Sequence, residues 1–151
     1  MGTTIESLIH EMAFRVRLLR MLQGAAKKTG ALTERDTTML ELINFKGQMN
    51  ISEIASLYPS VSSSTISNTI TKLWKVDKLV DKNIDPDNQR ITNVSLSKKG
   101  IKAIKDIKEA DSNSFKTIVK ALDLNTEEEK VFKKVLKKAI VFFDGIIHSE
   151  T

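Results

Sequence analysis

Two helices separated by a tight turn most constrain the fold of this chain. The first is predicted from Ser52, its N-cap, to Tyr58, and ends at Pro59 because proline disfavours helical geometry in the residue before it. A serine-rich stretch follows and opens a second helix whose apolar residues recur at helical spacing. The residues that this helix is expected to bury are Ile66, Ile70, Leu73 and Trp74.

The pattern changes from helix to strand directly after this helix pair. Segments 79–84 and 91–96 are short, contain β-branched residues and alternate weakly, which is typical of half-buried strands. The six polar residues 85–90 between them predict a two-stranded hairpin with an extended tip. This order of elements, namely a helix, a short helix, a turn, a helix and a hairpin, is that of a winged helix-turn-helix. In that motif the helix after the turn lies in the major groove of DNA.

Long helices are predicted on both sides of this core, since the chain has only two prolines and six glycines. Residues 5–19 carry an apolar stripe at spacings of three and four, and this helix is expected to end around Gly24 and residues 27–30. A further helix is predicted from Thr33, its N-cap, to Gly47.

Two more helices are predicted after the hairpin. Ser97 is the expected N-cap of the first, and Thr126 and Glu129 have the spacing of a capping box at the start of the second. The last helix carries apolar doublets along about five turns, more than a small core covers, and such exposed stripes favour a dimer.

The expected fold is therefore mainly α with a small β-hairpin wing, in three parts. Residues 1–32 form an N-terminal dimerisation helix, residues 33–100 a winged helix-turn-helix DNA-binding core, and residues 101–151 the C-terminal dimerisation helices. The alternative is that both outer segments fold back on the core of the same chain.

Composition limits the functions that this 151-residue chain can have. It has no cysteine, which excludes a disulfide scaffold, a thiolate zinc site, a cysteine nucleophile and a thiol redox sensor. The two histidines, His10 and His148, lie near opposite ends, and no nucleophile elbow or phosphate-binding loop occurs. We therefore expect no enzymatic activity, no cofactor and no metal. No targeting segment and no apolar run of membrane-spanning length is apparent, so a cytoplasmic protein is expected.

Polar side chains cover the face of the second helix that its apolar stripe leaves free. Small hydroxyl groups let the backbone approach DNA closely, Asn68 offers a bidentate contact to adenine, and Lys72 offers a phosphate contact. Lys82 is placed to meet a flanking phosphate, and Arg90 at the hairpin tip to enter the minor groove. The predicted DNA contacts are Ser62, Ser63, Ser64, Thr65, Ser67, Asn68, Thr71, Lys72, Lys82 and Arg90.

A surface without DNA is the alternative interpretation of the same residues. The chain has a net charge of +5, and residues 62–100 carry only seven lysines and arginines against four acids. The serines then serve as N-caps on a solvated helix, and the hairpin tip is an ordinary solvated turn. A winged helix used for protein–protein interaction therefore stays open beside the DNA-binding interpretation.

Residues 73–100 resemble the signature of the MarR family, the multiple antibiotic resistance regulators. The usual form is a leucine, a Gly-Leu-Val-like strand start, an Asp-x-x-Asp-x-Arg wing and Leu-Thr-x-x-Gly. The matching residues are Leu73, Leu79, Val80, Asp85, Arg90 and the run Leu96-Ser97-Lys98-Lys99-Gly100. The resemblance extends to the helix order and length of the chain. It implies a DNA-binding transcription regulator, most often a repressor, built as an intertwined homodimer from its terminal helices.

The chain departs from this signature at three positions. Asn88 replaces the second acid of the wing, which in the family typically helps hold the arginine, and Asp87 is its candidate substitute. Lys78 replaces the glycine before the strand, and Asn68 stands where an arginine is often found. Because losing this arginine weakens guanine recognition and favours adenine, we expect an operator rich in A·T pairs.

The resemblance also implies a small aromatic or phenolic anion bound between the dimer helices and the core. The residues that lie on segments suited to this site are Met12, Arg15, Arg17 and Met39. The alternative is that the methionines belong to the core and the arginines are solvated or interfacial.

Overall fold

The computed structural model describes residues 2–26 and 32–149. The described residues fall into two compact units, one up to Thr33 and one from Glu34 onwards, and each is described by itself. The helices and strands in chain order are α1 (Ile5–Ala26), α2 (Glu34–Lys46), β1 (Gln48–Asn50), α3 (Ile51–Ser56), α4 (Ser63–Lys75), β2 (Val80–Ile84), β3 (Thr92–Leu96), α5 (Lys98–Leu122) and α6 (Thr126–Ser149). The mainly α fold with a β-hairpin is thereby confirmed.

The first unit contains the single helix α1. Thr4 caps it, because the Thr4 Oγ1 atom accepts the Ser7 backbone N–H at 3.1 Å and the Thr4 N–H donates to Ser7 Oγ at 3.2 Å. The helix continues through Gly24, and the expected end at residues 27–30 lies outside the described residues. The apolar stripe of α1, which includes Leu8 and Met12, is exposed.

The second unit has a core between its helices and a three-stranded antiparallel sheet of order β1-β3-β2. The predicted two-stranded hairpin is correct for β2 and β3, but a third strand pairs with β3, with Met49 opposite Val94. Gly47, with φ of +89°, turns the chain out of α2 into this strand, a conformation that favours glycine. The core residues are Met39, Leu40, Ile43, Met49, Ile54, Ile66, Ile70, Leu73, Leu79, Val80, Val94 and Ile104.

The N-cap of α3 is Asn50, not the predicted Ser52. The Asn50 Oδ1 atom accepts the Glu53 backbone N–H at 2.8 Å, and the Asn50 amide donates to the Glu53 carboxylate at 2.8 Å. Asparagine caps a helix as well as serine does, and Asn50 is also the last residue of β1. One residue therefore ends the strand and starts the helix.

The capping box of α6 likewise lies one residue earlier than predicted. The Asn125 Oδ1 atom accepts the Glu128 N–H at 2.9 Å, and the Asn125 N–H donates to the Glu128 carboxylate at 3.3 Å. This pair replaces the predicted pair Thr126 and Glu129.

The helix α5 runs without a break across the predicted boundary at residues 100 and 101. The Ser97 hydroxyl caps it as predicted, and Ile104 packs into the core. The second half of α5 and the whole of α6 contain no buried residue. The division into a core and C-terminal dimerisation helices stays a prediction.

Gly100 allows the first turn of α5 to lie against the residue that leads into β2. A Cβ atom at this position would stand 2.0 Å from the Leu79 carbonyl oxygen, which is itself bonded to the Ser97 N–H at 3.0 Å. Any side chain at position 100 would therefore separate α5 from the base of the hairpin.

Gly100→Ala is expected to lower the free energy of unfolding by more than about 2 kcal/mol, because the backbone must shift to admit a methyl group. Gly145→Ala is the matched control, since it lies in a helix with no atom within 4 Å of its Cβ position. This control is expected to gain up to about 1 kcal/mol. Urea unfolding of both variants checks the prediction, and equal stability of Gly100→Ala and wild type would contradict it.

Candidate nucleic-acid interface

The buried residues of α4 fix which of its faces meets solvent. Ile66, Ile70 and Leu73 are completely buried, so that the opposite side of the helix is free. Ser64 and Asn68 are exposed there, and Ser63 is exposed as the first residue of the helix. Half-buried residues border the face, namely Thr65, Ser67 and Thr71. The predicted face of small polar residues is therefore present as a continuous part of the surface.

Hydroxyl groups cluster at the start of α4. The Ser62 Oγ atom caps the helix by accepting the Thr65 N–H at 3.2 Å, and it lies 2.7 Å from Thr65 Oγ1 and 3.2 Å from Ser64 Oγ. The first N–H groups of a helix and nearby hydroxyls are favourable partners for a phosphate. This end of α4 has the groups that a DNA backbone contact requires.

Lys72, a predicted phosphate contact, is held by two carboxylates. Its Nζ atom lies 2.9 Å from Asp36 Oδ2 on α2 and 3.2 Å from Asp77 Oδ2 in the turn after α4. Asp36 is only 3% exposed, whereas the Lys72 side chain is 39% exposed. The hydrogen bond to Asp36 is the main cause that raises the pKa of Lys72. In this arrangement Lys72 joins α4 to α2 and to the turn that leads into the hairpin.

Asp85 organises the tip of the hairpin, which we call the wing tip (residues 85–91). Its carboxylate accepts the backbone N–H of Asp87 at 2.8 Å, that of Asn88 at 3.2 Å and the Asn93 amide at 3.3 Å. The hydrogen bond from the Asp87 N–H is the largest of the causes that lower the pKa of Asp85. The loop is thus a set of local turns fixed by one carboxylate.

Arg90 is exposed at the wing tip, and no carboxylate among the described residues forms a salt bridge with its guanidinium. The Asn88 side chain accepts the backbone N–H of Arg90 at 3.1 Å, so it positions the backbone of Arg90. The expected ion pair with Asp87 is absent. The guanidinium is available to an external anion.

Trp74 is 37% exposed and therefore only partly buried, contrary to prediction. The Lys82 Nζ atom lies 4.8 Å from the centre of its ring and the Lys75 Nζ atom 5.4 Å, both within the range of a cation–π contact. The indole thus lies between the end of α4 and β2. Lys82, predicted to meet a phosphate, contacts Trp74 from the middle of β2.

The four residues suggested for a small ligand have different environments. Met39 is completely buried in the core, which favours the alternative interpretation for this residue. In α1, Met12 and Arg17 are exposed, and Arg15 is paired with Glu11. A ligand site formed by these four residues stays a prediction.

A cavity of about 300 Å³ lies in the second unit, between α2, the end of α3 and the end of α6. The buried hydroxyl of Tyr58 has no hydrogen-bond partner among the described residues, and burial raises the pKa of Tyr58. The lining residues are Thr38, Leu42, Leu57, Tyr58, Ile146 and Ile147.

Among the described residues, no group of three or more histidine, cysteine, aspartate or glutamate side chains is placed to hold a metal ion. None of the described helices combines the length and the apolar content needed to cross a bilayer.

No protein-family model matches the chain, and no curated protein matches it in sequence. Solved structures do share its fold. A multiple antibiotic resistance repressor, MarR, superposes with a TM-score of 0.71 at 17% identity, over 92% of this chain and 96% of that one. A MarR protein from Peptoclostridium difficile has a TM-score of 0.67 at 21% identity, over 100% of this chain and 96% of that one. A mutant of MepR from S. aureus, bound to an oligodeoxyribonucleotide, has a TM-score of 0.59 at 20% identity, over 94% of this chain and 99% of that one. The chain therefore has the winged-helix fold of these structures.

Lys72→Met is expected to destabilise the protein by about 1–3 kcal/mol, because it removes the ammonium group that pairs with the nearly buried Asp36 carboxylate. The loss is smaller than for a fully buried pair because Lys72 is partly exposed. Since the pKa of Lys72 is raised from 10.5, its contribution is complete below that pH and is lost as the pH rises through the higher folded-state value. The stability difference between wild type and variant should therefore shrink above pH 10.5.

Urea unfolding of wild type and Lys72→Met from pH 7 to pH 11.5 measures this difference. Lys75→Met, one turn further along α4, removes a lysine without a salt bridge among the described residues and serves as the control. A difference that is constant over this pH range would contradict a role for the Lys72 charge.

Proposed function

We propose that this chain is a MarR-type transcription regulator that binds duplex DNA in a sequence-specific manner. The observation that carries the proposal is the pairing of two free polar surfaces, the exposed face of α4 around Asn68 and the unpaired Arg90 at the wing tip. The fold shared with MarR and with DNA-bound MepR supports it. Nothing in the proposal requires a catalytic group.

In the proposed complex α4 lies in the major groove and the wing tip follows the adjacent minor groove. Asn68 pairs with adenine, and the hydroxyls of Ser63 and Ser64 bind phosphates or base edges. Arg90 enters the minor groove, which attracts arginine most where it is narrow and A·T-rich. In this complex Lys72 holds α4 in place. Its two carboxylate partners lie on α2 and in the turn after α4, so the ammonium group links these parts of the chain.

We propose a homodimer in which the terminal helices supply the contact between subunits. The apolar residues of α1, the second half of α5 and α6 are exposed, among them Phe115, Phe132 and Leu136. Such extended apolar surfaces favour association, and a two-fold dimer would present two α4 helices to a palindromic operator.

Repression is the proposed direction of regulation, supported by the repressor among the similar structures. A small aromatic or phenolic ligand is the proposed signal that releases DNA. The cavity beside Tyr58 supports such a ligand, because mainly apolar side chains line it and such pockets suit a small aromatic group.

Selection from a pool of random duplexes tests DNA recognition. The expected product is an A·T-rich inverted repeat whose half-sites are about one helical turn apart. Binding to it should weaken steeply with added salt, because neutralised phosphates release counterions. Enrichment of no sequence would favour the alternative, a winged helix that assembles with another protein, and G·C-rich half-sites would contradict the role given to Asn68.

Arg90→Ala is expected to weaken binding of the selected duplex by about 1–3 kcal/mol, which is about 5- to 150-fold in Kd, while the oligomeric state is unchanged. Lys105→Ala is the control, since it removes one exposed positive charge from α5. Fluorescence anisotropy with a labelled duplex measures both. Equal affinities of Arg90→Ala and wild type would show that the wing tip does not enter the minor groove.

Light scattering on a sizing column at micromolar concentration should give twice the monomer mass of 16.9 kDa. Leu136→Glu in α6, which places a charge in the proposed contact, is expected to shift the mass towards the monomer. A wild-type particle with the monomer mass would contradict the dimer.

A further inference from the structure

The helix α6 carries a second strongly charged surface, separate from the candidate interface. Five lysines occur between residues 130 and 143, and this stretch contains no acid. Their spacings of three and four place them on one side of the helix. They line one open depression together with Val141, and we call this set the lysine face: Lys130, Lys133, Lys134, Lys137 and Lys138.

Most of the charge of the lysine face is uncompensated. Lys133 pairs with Glu129 one turn before it, at 2.8 Å, and the hydrogen bond from Lys133 lowers the pKa of Glu129. Among the described residues, no salt bridge engages the other four lysines. All five side chains are exposed. Residues 130–143 contain no acid, unlike α5, where Asp106, Glu109 and Asp111 alternate with lysines, and the nearest acids of α6 are Glu129 and Asp144 on either side of this stretch.

The geometry of the lysine face fits a regular polyanion. From Lys130 to Lys138 the helix rises about 12 Å, at about 1.5 Å per residue. Duplex DNA carries one charge per about 1.7 Å of its axis, so about seven phosphate charges lie along the same distance. Lysines act as flexible point charges without the planar geometry that selects a particular group. This favours the sugar–phosphate backbone over any single anion.

We propose that the lysine face binds duplex DNA independently of its sequence, as a second DNA site besides α4 and the wing tip. This goes beyond the proposed function, because it assigns DNA to a helix that sequence recognition does not use. No hydrogen bond or ion pair joins the lysine face to α4 or to the wing tip in the part of the chain that the structure describes. The two sites are therefore separable by mutation.

The test compares two variants of the full chain with the same loss of charge. One replaces the four lysines without a salt bridge, as K130Q, K134Q, K137Q and K138Q. The control replaces four exposed lysines of α5, as K102Q, K105Q, K108Q and K116Q. Both should keep the wild-type melting temperature and oligomeric state, since glutamine and lysine have similar helix propensities.

Affinity for a duplex of random sequence is measured across a salt series. The lysine-face variant should reduce the slope of log K against log salt by about 2–4, at about 0.9 per lost phosphate contact, and weaken binding at least tenfold at low salt. The control should retain the wild-type slope, and arginine at the same four α6 positions should restore it. Equal losses in both glutamine variants, or no loss in either, would overturn the proposal.

Repeating the series in the background Asn68→Ala with Arg90→Ala separates this proposal from the proposed function. Residual binding to the random duplex that disappears with the lysine-face substitutions supports the second site even if no operator is found. A wild-type protein that binds vesicles of anionic lipid, or an acidic protein, but not the random duplex would overturn it.

Discussion

The Lys72 ammonium group holds the parts of the proposed interface in one arrangement. Lys72 lies in the last turn of α4, and its Nζ atom contacts two carboxylates. Asp36 lies in the first turn of α2, and Asp77 lies in the turn that leads to β2. Burying a carboxylate without a cation is unfavourable, and the Lys72 ammonium group lies within 3.2 Å of both carboxylates. The same charge therefore links α4 to α2 and to the start of the hairpin, in addition to the packing of Ile66, Ile70 and Leu73 in the core. The close approach of Gly100 to Leu79 completes this arrangement from the side of α5.

The polar residues of the candidate interface fall into two groups. Lys72, Lys82 and Asp85 are engaged within the chain, by carboxylates, an indole ring and backbone N–H groups respectively. Asn68 and Arg90 keep their side chains towards solvent. The first group gives the surface its shape, and the second group supplies the contacts that we propose for DNA. In the proposed complex, shaping the surface and contacting DNA are therefore assigned to different residues.

The order of helices and strands could be predicted from the sequence, because most of them depend on the spacing of nearby apolar residues and on capping residues. Helical spacing of Ile66, Ile70 and Leu73 predicted α4 after a serine-rich stretch, and the structure confirms Ser97 as the N-cap that was predicted for α5. The partner of Lys72 could not be found in this way, since Asp36 lies 36 positions earlier and only tertiary packing brings the two together. The strand β1 was missed for a similar reason, because three residues form no recognisable period and their pairing partner is remote.

The net charge of a sequence segment did not predict where charge collects on the surface. Residues 101–151 carry ten lysines and nine acids, and this near balance conceals the lysine face. Helix geometry places five of these lysines on one side of α6 within residues 130–143, whereas the acids lie in α5, in the turn after it, at the start of α6 and from Asp144 onwards. A net charge of +5 for the whole chain is therefore compatible with a locally strong positive surface. The arrangement of charges decides what the surface can bind, and only the folded helix reveals it.

Hydroxyl-radical footprinting on a duplex that the protein selects would show whether α4 and the wing tip recognise DNA together. Two protected half-sites about one helical turn apart are expected, with additional protection in the flanking minor groove that disappears in Arg90→Ala. Uniform protection along the duplex, or none, would contradict sequence-specific recognition by α4 and the wing tip.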